Sequence, residues 1–404
     1  MQKKVAADIV IFGGGIAGLW LLSRLRQAGY TAILFETGLL GGGQTHKSQG
    51  IIHGGMKYAL LGKMTNEAYA MADMPHYWQR ALSGQGELNL SAVPLLSNHH
   101  YLWSPNKITA KLTGFLASTS LASKVKTLAK HDYPTVFQHA AFKGEVYALD
   151  EMVIDVLALV RELAKQNQGA IFKIDPLSET GLQWDAEGKW LNATLSLSGQ
   201  SLQVCAQHLV WTAGAGNALL CKHLNDSRIE MQRRPLHMVM VKLPFDYPLY
   251  AHCLGLSNRP RITITTHYLQ EGSPIWYLGG ALAEEGVHRD QAAQIAASKE
   301  ELHKLFPWLD FSSAHFASFI IDRAEPKQKG GMKPETAFSQ TIHNQTIAWP
   351  TKLALAPKLA ETILSNFSEM QLIPKYNDLD ALQGWSAPPL ARGIGEEFFC
   401  KDVV

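Results

Sequence analysis

Asp8-Ile-Val-Ile-Phe-Gly-Gly-Gly-Ile-Ala-Gly18 is the stretch that decides the fold. Its apolar half, Asp8 to Phe12, has the unbroken run expected of a strand buried on both faces, and the glycines that follow fit G-x-G-x-x-G. Leu19 to Ala28 is predicted helical, with Leu21, Leu22 and Leu25 as its apolar stripe and Gly29 where a left-handed C-cap belongs. Ala32 to Phe35 is a second strand, ending in Glu36 and Thr37. A dinucleotide gives each part a task. Gly13 permits the tight turn, Gly15 lets backbone approach a pyrophosphate, and Gly18 lets helix and strand pack closely. Ile16 and Ala17 lie in the same turn, ahead of the helix, whose N-terminus carries roughly half a positive charge toward the phosphates. Glu36, about twenty residues on, accepts from ribose hydroxyls and disfavours a 2′-phosphate. A glycine triplet alone marks only a tight loop; strand, turn, helix, strand and terminal acid in order point to a nucleotide.

That unit does not separate FAD from NAD. The next stretch, Gly41-Gly-Gly-Gln-Thr-His-Lys-Ser-Gln-Gly-Ile-Ile-His-Gly-Gly55, is dense in glycine, hydroxyl, amide and imidazole groups. Gly43 and Gly50 let backbone amides approach a ligand, while Gln44, Thr45, Ser48 and Gln49 offer donors and acceptors to a long polar cofactor, and Ile52 leads into His53. Together with Gly13 to Gly18 and Glu36, the run Gln49-Gly-Ile-Ile-His-Gly-Gly-Met-Lys-Tyr58 resembles the D-amino-acid oxidase-like flavoproteins, within them the glycerol-3-phosphate dehydrogenase and L-2-hydroxyglutarate oxidase branch. Gln49 stands where that branch has serine, and Gly50 where its glycerol-phosphate type has lysine, so substrate identity does not transfer.

The resemblance implies FAD as cofactor, with the His53 run along the flavin ring. It also covers Leu209-Val-Trp-Thr-Ala-Gly-Ala-Gly216, similar to a strand whose turn at Ala213 and Gly214 approaches the cofactor again. Ala348-Trp-Pro-Thr-Lys-Leu-Ala-Leu-Ala-Pro-Lys-Leu-Ala360 is similar to the segment opening the last flavin helix. Pro350 suits a first helical turn, which would direct the amides of Thr351, Lys352 and Leu353 at the flavin pyrimidine.

The expected fold class is α/β: a Rossmann-like FAD-binding domain (residues 1–85, 145–228 and 323–404) interleaved with an antiparallel-sheet substrate domain (86–144 and 229–322). Thr65 to Leu82 reads as helix, Glu87 to Trp103 as strands, and Val146 to Lys165 as a helix entered through Asp150 with Glu151 in its first turn. The segment Ile171 to Leu177 is expected near the adenine. Arg234 to Leu243, Ile262 to Thr266, Ile275 to Gly279 and Phe316 to Ile321 are β-like, with an amphipathic helix from Gln291 to Leu305.

Oxidation of a C–H bond at flavin N5 needs a group to take the proton from the adjacent O–H or N–H. His53 is the candidate, with an unperturbed imidazole pKa near 6.5 suited to the task. The alternatives are a His53 that only hydrogen-bonds the flavin or backbone, and a covalent histidyl-flavin bond. Arg323, in Asp322-Arg-Ala-Glu-Pro326, follows a β-like run; the resemblance implies that it clamps a substrate carboxylate or phosphate, against a surface pair with Glu325 or Asp322. Lys57, Arg234, Arg261 and Lys333 could add positive charge.

Bulk composition narrows the partners. The 404 residues are 46% apolar and 18% charged, with net charge +2, which excludes a broad basic field for nucleic acid and favours a small-molecule substrate. Four cysteines lack zinc-site spacing and are expected to be reduced and mostly buried; sixteen histidines, His99-His100 included, lack a metal motif, so no metal is expected. A first strand within about ten residues of Met1 leaves no room for a leader, and Ile9 to Leu22 is broken by glycines and shorter than the roughly 20 residues of a spanning helix. A cytoplasmic location follows, with peripheral membrane contact left open. The expected activity is an FAD-dependent dehydrogenase or oxidase taking hydride from a small, anionic hydroxy acid, polyol phosphate or amino acid, with oxygen, a quinone or a carrier as acceptor. The alternatives are an amine or imino-acid oxidase and a non-catalytic flavin-binding redox protein.

Overall fold

The computed structural model describes residues 3–55, 71–105, 125–254 and 259–400. Lys3–Phe12 is the central strand, longer than its apolar core because it pairs in parallel with Gln200–Trp211 all the way from Lys3↔Leu202 to Phe12↔Trp211. Ala32–Glu36 pairs in parallel on its other edge, followed by Ile171–Lys173, and Gln345–Trp349 pairs in parallel with the end of Gln200–Trp211. Alternate residues feed two cores. Ile9, Ile11 and Leu34 pack with the helices Ile16–Gln27, Val156–Gln166 and Ala356–Glu369. Val10, Phe12, Ile33 and Phe35 pack with Trp190, Leu195 and Trp211 on the other face. Burial on both faces is the reason the strand reads as a continuous apolar run.

A second sheet of eight strands runs in the spatial order His315–Pro326, Met231–Lys242, Pro274–Gly279, Ile262–Tyr268, Ala251–Cys253, His100–Ser104, Glu145–Leu149 and Val125–Thr127. Every neighbouring pair is antiparallel except Ala251–Cys253 with His100–Ser104. The helix Gln291–Leu305, capped by Asp290 accepting from Ala293 N at 2.8 Å, buries Leu302 and Leu305 against Val239, Val241, Ile264 and Trp276 on one face. Met238, Met240, Ile275 and Tyr277 form a separate cluster. The chain leaves the parallel sheet for this one and returns twice, which is the interleaved α/β architecture expected.

Four expectations need correction. Val146 to Lys165 is not one helix: Glu145–Leu149 and Met152–Ile154 are strands, and the helix starts at Val156 with Asp155, not Asp150, as its cap, accepting from Ala158 N at 2.9 Å. Two acids five residues apart offered two caps, and the β-branched Val153 and Ile154 favour the later one. Pro350 lies outside the helix that follows it, which begins at Ala356 with Pro357 in its first turn after a short 3₁₀ turn at Leu353–Leu355. Asp322 to Pro326 belongs to the strand itself. Of the four free cysteines only Cys253 is buried; Cys205, Cys221 and Cys400 are partly exposed. Of the Thr65 to Leu82 helix, residues 65–70 lie outside the described residues and Met74–Leu82 is helical. Among the described residues no helix is long and apolar enough to cross a membrane.

Candidate active site

The opening turn is built so that only glycine fits at its critical points. Gly13 has φ +112°, and a Cβ there would sit 2.6 Å from the Ala213 backbone; one at Gly18 would lie 2.0 Å from the Gly13 carbonyl oxygen. The helix that starts at Ile16 has Gly15 at its cap position and no acidic residue in its first turn. Thr45 reaches in from the following loop, its Oγ1 accepting from Ile16 N at 3.0 Å. Glu36 closes the turn from the second strand: Oε2 accepts from Gly14 N at 2.6 Å and Oε1 from Gly38 N at 2.7 Å.

These groups border a cavity of about 620 Å³. Gly13, Gly15, Ile16, Ala17 and Glu36 line it from the opening turn and the end of the second strand, and Gly43, Gln44, Thr45, Ser48 and Gln49 come from the glycine-rich loop. Ala213 and Gly214 contribute from the end of the long parallel strand, Thr351, Lys352 and Leu353 from the segment after Pro350, and Arg323 from the antiparallel sheet. Residues from six separated stretches thus share one space. Gly18, Thr37, Gly50, Ile52, His53 and Leu177 are not on its wall. Gly18 is at the helix–strand contact; Thr37 flanks Glu36; Gly50 and Ile52 are buried beside Met152–Ile154; Leu177 packs against the second core of the parallel sheet.

The turn that carries Ala213 and Gly214 is keyed by a residue sequence reading missed. Buried Asn217 accepts from Ala213 N at 2.8 Å and donates to Ala348 O at 3.1 Å, while Trp349 Nε1 donates to Gly214 O at 3.1 Å. The segment after Pro350 makes a tight turn in which Lys352 N donates to Pro350 O at 2.7 Å and Thr351 is held at φ +61°. The Lys352 amide is therefore engaged within the turn and does not open a helix.

Arg323 is anchored at its base: Nε donates to Arg234 O at 3.3 Å and lies 4.0 Å from Glu325. Buried Glu325 is engaged by Arg234 through two bonds of 2.9 Å, to Oε2 and Oε1. Arg234 is thus a support under Arg323, and Arg261 pairs with Glu301 instead. Lys57 lies outside the described residues.

His53, near the end of the glycine-rich stretch, sits off the cavity wall in a polar cluster with Glu151 and His252. Ile51–Ile52 pairs antiparallel with Met152–Ile154 through Ile51↔Val153 and Ile52↔Met152, and one further step of that register sets Glu151 opposite His53. His53 Nδ1 is 3.2 Å from Glu151 Oε2, and Gly54 N donates to Glu151 Oε1 at 2.8 Å. The His252 ring lies parallel to that of His53 at 5.7 Å, with its Nδ1 2.8 Å from Thr263 Oγ1, and His100 packs 4.1 Å from His252. His53, Glu151 and His252 bring one donor atom each within 4.8 Å of one another. Local spacing rules could not see this convergence, since the three come from positions about a hundred residues apart. Glu151 was legible only as a helix-opening acid, and the register that pairs it with His53 is a tertiary fact. Nearby, burial pushes the His267 imidazole down to about 4, leaving it neutral beside Thr265 Oγ1 at 3.0 Å.

The cavity suits a dinucleotide on this chain's own features. Its turn admits no side chain at Gly13, and the Ser48 hydroxyl is buried on its wall with no hydrogen-bond partner among the described residues. Comparison with known proteins agrees. Residues 8–325 match the family model described as FAD dependent oxidoreductase. A probable FAD-dependent oxidoreductase of Pseudomonas aeruginosa is 46% identical over 403 residues, covering 99% of this chain and all of that one. The crystal structure of an FAD-dependent oxidoreductase from the same organism aligns with TM-score 0.83 and 41% identity over 98% of this chain and 99% of that one. More distant structures share the fold: glycine oxidase from Geobacillus kaustophilus (TM-score 0.63, 15% identity, 96% of this chain, 100% of that one) and dithionite-reduced L-alpha-glycerophosphate oxidase from Mycoplasma pneumoniae with FAD bound (0.61, 14%, 93% and 98%). The chain belongs to the FAD-dependent oxidoreductase family, and its cofactor is FAD.

Proposed function

We propose that the enzyme oxidises a small anionic substrate, a hydroxy acid, polyol phosphate or amino acid, which Arg323 holds and from which His53 takes a proton. The observation that carries the reading is the position of Arg323 on the wall of the same cavity that Gly13, Gly15 and Glu36 line. A guanidinium anchored through Nε keeps its terminal nitrogens as a planar fork, suited to a carboxylate or phosphate. On this reading Gly13 to Ala17 hold the pyrophosphate, Glu36 the ribose, and the loop from Gly43 to Gln49 the middle of the cofactor. Ala213, Gly214 and Thr351 to Leu353 border its ring. Bound FAD supplies the two-electron acceptor. The residues do the rest: Arg323 orients, and His53, supported on a buried carboxylate, takes the proton.

Asp322 on the same wall favours a second reading, an amine or imino-acid oxidase, because a carboxylate attracts a cationic amine. The fold neighbours are named for oxidising glycine and glycerophosphate, and at 14–15% identity they guide only the choice of substrates to try. The test is anaerobic mixing of the yellow holoenzyme with glycerol 3-phosphate, L-2-hydroxyglutarate, L-malate, glycine or L-proline, followed by flavin absorbance. Bleaching by one of the first three supports the anionic hydroxyl substrate, and bleaching by the amines alone supports the second reading. A flavin that none of them reduces would favour a non-catalytic redox protein. Reoxidation by air or by a soluble quinone then identifies the acceptor.

A further inference from the structure

We infer that Lys47 is a second anion-binding point in the cavity, and that it selects a small dianion over a monoanion. The substrate class this names is a dicarboxylic or phosphorylated hydroxy or amino acid, with an anionic group at each end of a short chain. The inference deepens the reading above and rests on it, because Arg323 holds the first of the two anionic groups. Lys47 belongs to the glycine-rich loop in sequence, but its contacts are with the antiparallel sheet. The Tyr277 hydroxyl donates to Lys47 O at 2.8 Å, and Gln49 Nε2 donates to Tyr277 O at 2.9 Å, so one strand residue holds the loop at two points. Lys47 lines the cavity, and its ammonium lies 5.4 Å from the centroid of the Phe319 ring. Phe319 packs in turn against Tyr277 and Phe398, with centroids 6.1 and 5.4 Å away. An aromatic ring attracts an ammonium but offers it no acceptor oxygen. Among the described residues Lys47 has no carboxylate at ion-pair distance. The carboxylates on the same wall are engaged elsewhere: Glu36 accepts from the amides of Gly14 and Gly38, and Asp322 faces Arg233 at 3.4 Å. An anion in the cavity therefore meets an ammonium that no carboxylate has paired.

Strand geometry sets the interval between the two cations. Side chains alternate, so Phe319, Ile321 and Arg323 share one face of His315–Pro326, and the register sets Met238 opposite Phe319 and Leu236 opposite Ile321. Four residues of strand put the Cα atoms of Phe319 and Arg323 about 13 Å apart. Leu236 and Ile321 occupy the interval and line the cavity. An apolar strip with a cation at each end is complementary to a short methylene chain with an anion at each end. A monoanion held by Arg323 leaves the Lys47 ammonium without a counterpart.

Equilibrium binding of unreactive ligands to the holoenzyme tests this without turnover. Glutarate carries two carboxylates, glutaramate replaces one of them by a neutral amide of the same shape, and 4-aminobutyrate ends in an ammonium instead. Each is titrated into the yellow holoenzyme at pH 7, and the change in flavin absorbance gives Kd. Glutarate is expected to bind more tightly than glutaramate by a factor on the order of ten, and 4-aminobutyrate more weakly than either. The preference should shrink at high salt, since it rests on charge. Lys47→Met removes the charge and keeps an unbranched stem. In K47M glutarate and glutaramate should bind about equally, with FAD retained and glutaramate within about threefold of its wild-type Kd. Lys47→Arg keeps the charge and should keep the preference. If Arg323→Met binds glutarate as tightly as wild type, or if no ligand of the set binds wild type, the reading of an anionic substrate held by Arg323 fails. If R323M loses glutarate but K47M keeps the wild-type ratio of glutarate to glutaramate, Lys47 is not an anion site and this inference alone is overturned. Loss of FAD from K47M would also overturn it, by assigning the ammonium to the cofactor's phosphates. Tighter binding of 4-aminobutyrate than of glutarate would overturn it in favour of the amine reading.

Discussion

The two sides of the cavity are made in opposite ways. The side proposed for the nucleotide comes from one region of the sequence: Gly13, Gly15, Glu36, Gln44, Thr45, Ser48 and Gln49 all fall within the first fifty residues, and the turn is held by contacts such as Gly14 N to Glu36 Oε2. The side toward the antiparallel sheet is assembled from distant positions, with Arg323 on the wall and His53, Glu151 and His252 in the polar cluster off it, carried on four different strands or their flanks. One side depends on the absence of side chains, the other on buried polar groups satisfying one another. They should therefore fail differently, the first by steric exclusion and the second by loss of orientation or of a charge partner.

The largest effect is expected on the first side. Gly18→Val would drive a Cβ to 2.0 Å from a backbone carbonyl and 2.7 Å from Thr212 Oγ1, so the helix must lift from the strand. Overpacking of this kind costs about 3 kcal/mol, or more where the clash is with backbone. Denaturant unfolding should show that loss, and the purified protein should be colourless. A G18V protein that stays yellow and as stable as wild type would break the contrast at its root.

On the second side, Glu325→Ala removes the buried partner of Arg234 and a neighbour of Arg323. Breaking a buried ion pair costs about 3–5 kcal/mol when both charges are enclosed. Arg234 retains some 23% of its exposure and can rehydrate, so about 2 kcal/mol is expected here. Flavin content should be kept while KM for an anionic substrate rises, since the floor under Arg323 is lost and the nucleotide turn is untouched. Loss of flavin in E325A would mean that the two sides are not separable.

This division also explains what could be read before the structure. The parallel βαβ unit, the Gln291–Leu305 helix and the main strands were legible because period and capping are local properties. The nucleotide-side residues were legible for the same reason. Glu151 was misplaced because an acid ahead of an apolar run fits a helix start as well as a β-turn, and only the Ile51–Ile52 register decides between them. Asn217 gave no sequence signal and Arg234 read only as a possible positive charge, since each acts by bonding backbone or a partner brought in from more than ninety positions away.

An intermediate effect follows from buried neutral imidazoles. Burial lowers His208 to about 3 and His267 to about 4. In the unfolded chain both titrate near 6.5. Between those values the unfolded state binds more protons than the folded one, so their contribution to stability is full above pH 6.5 and declines as pH falls toward 4 for His267 and 3 for His208. Each group should contribute a slope of up to about 1.4 kcal/mol per pH unit within its window. Urea melts at pH 7, 6 and 5 should show the decline. His208→Asn, although it disturbs the contact with Thr346 Oγ1 at 2.8 Å, should flatten it by one group's share. A His208→Asn slope equal to wild type would mean that this imidazole is not the neutral group described.

The smallest effect tests the strained turn after Pro350, on the cavity wall away from the first fifty residues. Thr351 is a β-branched residue at φ +61°, on the cavity wall, with Oγ1 donating to Thr336 O at 3.0 Å. Left-handed backbone at such a residue is strained by about 1–3 kcal/mol, yet the hydroxyl bond returns roughly 1 kcal/mol, and glycine adds unfolded-state entropy of similar size. Thr351→Gly should therefore change stability by less than about 1 kcal/mol in either direction. Its effect on flavin retention is the sharper readout. If the strained turn exists to hold the backbone of Lys352 and Leu353 against the cofactor, freeing it should weaken FAD binding severalfold without altering the fold, as measured by titrating apoprotein with FAD. Equal affinity in T351G would assign the strain to the packing between the Thr336 region and the strand Gln345–Trp349, and the cofactor's shape would be held by the glycines of the opening turn.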